Sequence, residues 1–159
     1  MKKAFLISLM VLISINVFSQ SKVFSSKDEE SRNKMKELES LYRNGIGQDS
    51  IDAIFYAEED KDNYFKEWGV FLGDMSKYLK DKGLPINDRI FFLIYFSNDG
   101  SIDYLLYNIL NKESDLLLEE NTIKLEMLLN EFAEVGKFNI TTKEKFKQCG
   151  TGNFQTAPK

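Results

Sequence analysis

The chain reads as an α+β domain: one small antiparallel sheet with two packed helices, and a further helix on its N-terminal side. Three observations predict it. Arg89 to Phe96 is apolar on both faces and runs through Asn98-Asp99-Gly100 into a second strand-like stretch, Ser101 to Leu110. The Asp-Gly step supplies the positive φ that a tight hairpin requires. Other segments instead carry apolar residues three and four apart, the spacing of a helix face. The resulting order is helix, strand, helix, strand, turn, strand, helix, strand, with no internal repeat and no linker between domains.

Gln20 to Lys27 is polar and serine-rich, a loose lead-in. From Asp28 to Asn44, Met35, Leu38, Leu41 and Tyr42 fall at helical spacing; Ser25 and Ser26 are N-cap candidates and Gly45 stops the helix. Ile51 to Ala57 is a short strand. A second helix spans Asn63 to Lys82, with Phe65, Trp68, Leu72, Met75 and Leu79 toward the core and Gly83 and Pro85 ending it. Along the first hairpin strand Ile90, Phe92, Ile94 and Phe96 share one face and Phe91, Leu93 and Tyr95 the other, so both faces need cover or an oligomer. A third helix spans Leu117 to Ala133, with Ile123, Met127, Leu128 and Phe132 on its apolar face and Gly136 at its end. Phe138 to Phe146 is the last strand. The chain thus divides into a leader over 1–19, a helical lead-in over 20–50, the α+β domain over 51–154 and a tail over 155–159.

Composition excludes much chemistry. Lys+Arg at 21 against Asp+Glu at 25 gives a net charge of −4, which offers nucleic acid or an anionic membrane no electrostatic footprint. With 43% hydrophobic residues, 13% aromatics and two prolines, the chain is not disordered. It contains no histidine, which removes Ser-His and Cys-His nucleophile pairs and histidine-bearing zinc sites. Cys149 stands alone; it reads as an inert thiol, with an intermolecular disulfide as the alternative.

Lys2 and Lys3 precede an uncharged, mostly apolar run from Ala4 to Phe18. That run is too short to cross a bilayer, which takes about 20 helical residues. Val17 and Ser19 then stand at the −3 and −1 positions of a cleavage site. The segment reads as a secretory signal peptide cut after Ser19 or Gln20, with an uncleaved anchor as the competing reading. No cysteine follows the run, which excludes a lipoprotein anchor. Cleavage after Ser19 removes two lysines and shifts the charge from −4 to −6. The expected product is periplasmic or secreted, without a stable membrane anchor.

Candidate sites are few. Glu58, Glu59, Asp60 and Asp62 lack the glycine turn of a calcium loop and lead into a helix, where acids are favoured at the N-terminus. Placing Gly100 at the calcium-loop glycine puts Tyr95 and Leu106 at ligand positions, so the segment is a turn. Glu119 and Glu120, adjacent on a helix, point about 100° apart and do not converge on one atom. Tyr95, Tyr104 and Tyr107 would suit a carbohydrate or peptide platform, although cross-strand packing is the commoner use of strand aromatics. No catalytic group, cofactor site or metal site is expected.

Several of these segments carry a family pattern. Phe55-Tyr56 leads through an acidic turn into a helix; Arg89 to Phe96, Asp99-Gly100-Ser101-Ile102 and Leu118-Glu119-Glu120 follow in order. Together, over about Ile51 to Phe154, they resemble the TonB C-terminal domain as it occurs in exported proteins of Bacteroidetes-type bacteria. The resemblance implies a two-helix, roughly three-stranded module that binds an extended peptide of an outer-membrane transporter by strand addition. The proline-rich spacer of energy transducers is absent and the leader reads as cleavable, so the chain resembles a detached relative. The expected partner is a protein or peptide of the cell envelope. Phe138 to Phe146 would be the receiving edge, with Phe138, Ile140 and Thr142 facing the partner. Two alternatives stand beside this: a secreted inhibitor or immunity-type protein acting through an acidic surface, and an enzyme with carboxylate chemistry alone. N-terminal sequencing of the native protein is expected to begin at Gln20 or Ser21; an intact Met1 in the membrane fraction would overturn export with cleavage.

Overall fold

The computed structural model describes residues 21–27, 29–84 and 88–154; the expected leader and the tail lie outside them. The elements are β1 (Val23–Ser25), α1 (Glu29–Glu39), β2 (Arg43–Ile46), β3 (Ala53–Phe55), α2 (Glu58–Asp81), β4 (Arg89–Phe96), β5 (Ile102–Ile109), a short 3-10 turn (Asp115–Leu117), α3 (Glu119–Val135) and β6 (Phe146–Asn153). The class is α+β. The sheet has six strands in the order β1-β5-β4-β6-β2-β3. It is mixed, where an antiparallel sheet was expected. β4 runs antiparallel to β5 and β6, while β1 lies parallel to β5 and β2 parallel to β6 and β3.

β4 sits at the centre. Ile90, Phe92, Ile94 and Phe96 are wholly buried beneath α2 and α3, against Trp68, Phe71, Leu129 and Phe132. On the opposite face Tyr95 packs with Leu38 and Tyr42 of the α1 end, and with Leu106. The Tyr42 ring meets Tyr95 edge-on at 5.0 Å. The Tyr95 hydroxyl is buried with no hydrogen-bond partner among the described residues. Burial, with the Glu39 carboxylate adding to it, pushes its pKa up to about 12. α1 covers only the Tyr95 half of this face; Phe91 and Leu93 are half-buried and Cys149 is exposed.

The hairpin turns on Gly100, at φ +85°, and a side chain there would also strike the Phe138 carbonyl. Asp99 accepts from the Ser97 and Ser101 hydroxyls and the Ser101 N–H. These bonds hold its carboxyl well below the usual carboxylate range.

The expected helix over 28–44 ends at Glu39 because the chain beyond it is captured by the sheet: Arg43 donates its N–H to the Lys145 carbonyl at 3.2 Å. Gly45 is therefore no helix stop. It is buried where a side chain would strike the Tyr64 hydroxyl. The segment expected as a lead-in thus supplies two strands. The Arg43 guanidinium holds the loop between β2 and β3 by bonding the Ser50 and Ala53 carbonyls, and pairs with Glu144 at 3.0 Å.

α2 starts at Glu58, five residues before the expected Asn63, and takes the acidic cluster into its first turn, where the helix dipole favours it. Its buried stripe is Tyr64, Trp68, Phe71, Met75 and Leu79, one position off the expected stripe at two places; Phe65 is exposed. In α3, Leu125, Leu128, Leu129, Phe132 and Ala133 are buried, while Ile123 and Met127 face outward.

The expected last strand, Phe138 to Phe146, is not a strand. Its N-terminal half folds over the hairpin turn: Phe138 and Thr142 donate their N–H groups to the carbonyls of Gly100 and Asn98. Phe138 is buried among the rings of Tyr64, Trp68 and Phe96. The last strand is β6, paired with β4 along its whole length.

Truncating Phe92, wholly buried and edge-on to Phe154 at 5.8 Å, to alanine is expected to lower unfolding free energy by ~3–5 kcal/mol. An unchanged denaturation midpoint would contradict the position of β4.

Candidate functional site

The residues expected to receive a partner do not form an edge. Phe138 is core, and Ile140 and Thr142 are partly covered in an irregular segment. The tyrosine platform is divided: Tyr95 and Tyr104 are cross-strand neighbours on the α1 face, whereas Tyr107 lies on the other face and donates to Glu126 at 2.7 Å. Glu119 and Glu120 occupy the first turn of α3.

A half-paired strand lies elsewhere, at β6. The N–H of Phe154 donates to the Asp88 carbonyl, and the N–H of Leu110 to the Arg89 carbonyl. Antiparallel strands alternate hydrogen-bonded and non-bonded pairs, so β4 uses its even-numbered residues toward β6 and its odd-numbered ones toward β5. Gln148, Gly150 and Gly152 therefore bond β4. Cys149 and Thr151 turn their backbone groups outward. β2 pairs with only Phe146 and Lys147, so among the described residues no strand other than β4 lies beside β6 from Gln148 to Gly152. The Gln148 side chain marks the boundary. It accepts from the Tyr64 hydroxyl at 2.9 Å and donates to the outward Cys149 carbonyl at 2.7 Å. Burial raises the Tyr64 pKa and keeps that hydroxyl a donor.

Beside this open edge runs a groove of about 500 Å³ between α2 and the end of β6. Gly69, Leu72, Gly73 and Ser76 form its α2 wall, Thr151 to Phe154 the other, and Lys77, Lys80 and Asp81 its end. Lys77 pairs with Asp81 at 2.6 Å, and that bond raises its pKa. The glycines on the two walls do different work. At Gly150 a Cβ would lie 2.9 Å from Trp68 Nε1, so glycine lets α2 approach β6. At Gly69 and Gly73 a Cβ would meet nothing within 4 Å. Those two open the groove without any packing need.

Sequence reasoning missed this site. Lys147-Gln148-Cys149-Gly150-Thr151-Gly152-Asn153 has no apolar alternation and two glycines, so it carries no strand signal. The available signal was the pair of glycines inside α2, each costing about 1 kcal/mol against alanine in a helix interior. Compared with family models, curated proteins and solved structures, the chain matches none.

Gly73→Ala is accordingly expected to raise the unfolding free energy by up to about 1 kcal/mol. Gly150→Val, which overpacks against Trp68, is expected to lower it by ~1–3 kcal/mol. Chemical denaturation of the two variants checks both signs.

Proposed function

We propose that the protein is an exported, non-enzymatic binding module, similar to the TonB C-terminal domain, that captures an extended peptide of an envelope partner by strand addition. The observation that carries this reading is the outer side of β6 from Gln148 to Gly152, beside which no second strand lies among the described residues. Strand addition needs outward N–H and C=O groups on a strand held rigidly from behind, and β4 holds β6 through all eight register pairs. The family pattern supports the reading from a second side. Two helices, α2 and α3, lie on one face of the three neighbouring strands β5, β4 and β6, the architecture the resemblance implies. The receiving edge proposed is β6 rather than Phe138 to Phe146.

The alternation along β6 makes the test specific. Thr151→Pro removes an outward donor and spares every bond to β4, whereas proline at Gly150 removes a bond within the sheet. With mature protein as bait in a cell-envelope extract, Thr151→Pro is expected to abolish capture with a near-native denaturation midpoint. Gly150→Pro is expected to lose both. Capture that persists in a folded Thr151→Pro protein would overturn strand addition at β6.

A further inference from the structure

Independently of that reading, we infer that α1 is a strap that opens from the sheet while the rest of the fold stays closed, and that an unsatisfied hydroxyl beneath it favours the opening. β1 and β2, the strands on either side of α1 in the chain, lie on opposite sides of the three central strands β5, β4 and β6. α1 therefore crosses the sheet between two anchors. Its seat is slight. Of its 11 residues only Ser31 and Leu38 are buried, against five along α2. Leu38 joins Tyr42, Tyr95 and Leu106 in a cluster separate from the main core. Along the helix a groove of about 520 Å³ runs between Glu30, Asn33, Lys34 and Glu37 and the Phe24 and Tyr104 rings of the sheet.

The hydroxyl supplies the bias. Tyr95 is wholly buried, and its hydroxyl has no hydrogen-bond partner among the described residues. Leu38 and the edge of the Tyr42 ring, 5.0 Å away, pack against it. A buried donor without an acceptor has given up water and gained nothing in exchange. Lifting α1 returns water to that hydroxyl, which offsets part of what the burial of Leu38 contributes to closure. Polar ties hold the C-terminal end of the strap: Lys147, opposite Tyr95 on β6, pairs with Glu39, and Tyr42 donates to Asp103 at 2.8 Å. The Glu39 side chain is 61% exposed, and a pair so open to water adds little. The main core lies on the other face of the sheet, under α2 and α3, so lifting α1 leaves it intact. A segment whose release exposes little apolar surface opens well below the cost of global unfolding. Opening joins Tyr95 and Leu106 to the half-buried Phe91 and Leu93 in one apolar face.

Native-state hydrogen exchange of the purified protein tests this. Protection factors of α1 amides are expected to be at least about tenfold lower than those of the buried amides of β4 and α2, with a weaker denaturant dependence. Tyr95→Phe deletes the unsatisfied donor and keeps the ring. It is expected to slow α1 exchange roughly five- to hundredfold, the worth of a buried unsatisfied donor. Leu38→Ala strips the apolar seat of the strap and is expected to speed α1 exchange by more than about tenfold; it carries the test if the Tyr95 variant does not fold. α1 amides that exchange only together with β4 would show that the helix leaves with the whole fold, and would overturn the strap. Unchanged α1 exchange in a folded Tyr95→Phe protein, or slowing confined to β4 and α2, would show that opening does not wet the hydroxyl, and would overturn the proposal.

Discussion

Burial of β4 on both faces is the constraint from which the remaining elements follow. Ile90, Phe92, Ile94, Tyr95 and Phe96 are fully enclosed, and each large apolar side chain taken from water contributes about 1.5–3 kcal/mol. A strand of this kind cannot sit at a sheet edge or under a single layer. It therefore requires neighbours on each side, which β5 and β6 provide, and cover above and below. α2 and α3 supply a complete layer on one face. α1, a shorter helix with a narrow apolar stripe, covers the Tyr95 end of the other. β1 and β2, which flank α1 in the chain, are drawn into the sheet with it.

That arrangement places β5 and β6 beside β4 and leaves their outer sides to the shorter strands. An open edge invites unwanted association, and proteins ordinarily keep such edges short. The outermost strands, β1 and β3, obey this, each with three residues. β1 also divides the outer side of β5 by pairing with its middle, Leu105 to Tyr107. β6 departs from the rule. β2 leaves it after Lys147, and among the described strands only β4 continues beside it. Nothing in the packing of β4 demands this, since a longer β2 would close the edge.

The legible part of the fold was the part with a strong period. Arg89 to Phe96 was placed to the residue, and the hairpin partner nearly so, because alternation on two apolar faces and an Asp-Gly turn leave one solution. The three helices were found with ends displaced by up to five residues. The shift at α2 arose because Glu58, Glu59 and Asp60, assigned to a turn, are equally at home in a first helical turn. Three strands escaped notice, for different reasons. β1 is three residues between Lys22 and Ser26, with no room for a period. β2 contains Gly45, which mimics a helix stop but is needed for close approach to Tyr64. β6 is glycine-rich because Trp68 and Phe154 occupy the space its core-facing side chains would need. Phe138 misled in the opposite direction: it is an apolar anchor for a loop, and a fully buried ring gives the same local signal in a loop as in a strand. The site was illegible for the same reason as β6. Its identity depends on which strand lies next to which, and that is decided by pairings more than a hundred residues apart, such as Arg43 with Phe146.

The glycines join the fold to the proposed site. In β6, Gly150 allows the Trp68 ring onto the strand and draws α2 down across the sheet. A helix seated this closely would ordinarily seal the strand edge with its own side chains. At Gly69 and Gly73 it has none to offer, and the wall stays open beside the unpaired backbone. The same helix is stabilised by its buried stripe from Tyr64 to Leu79, which absorbs the propensity cost of two interior glycines. Close approach and retained space are thus separate consequences of glycine on two facing elements. Fold stability needs only the first of them; the second leaves space beside the strand.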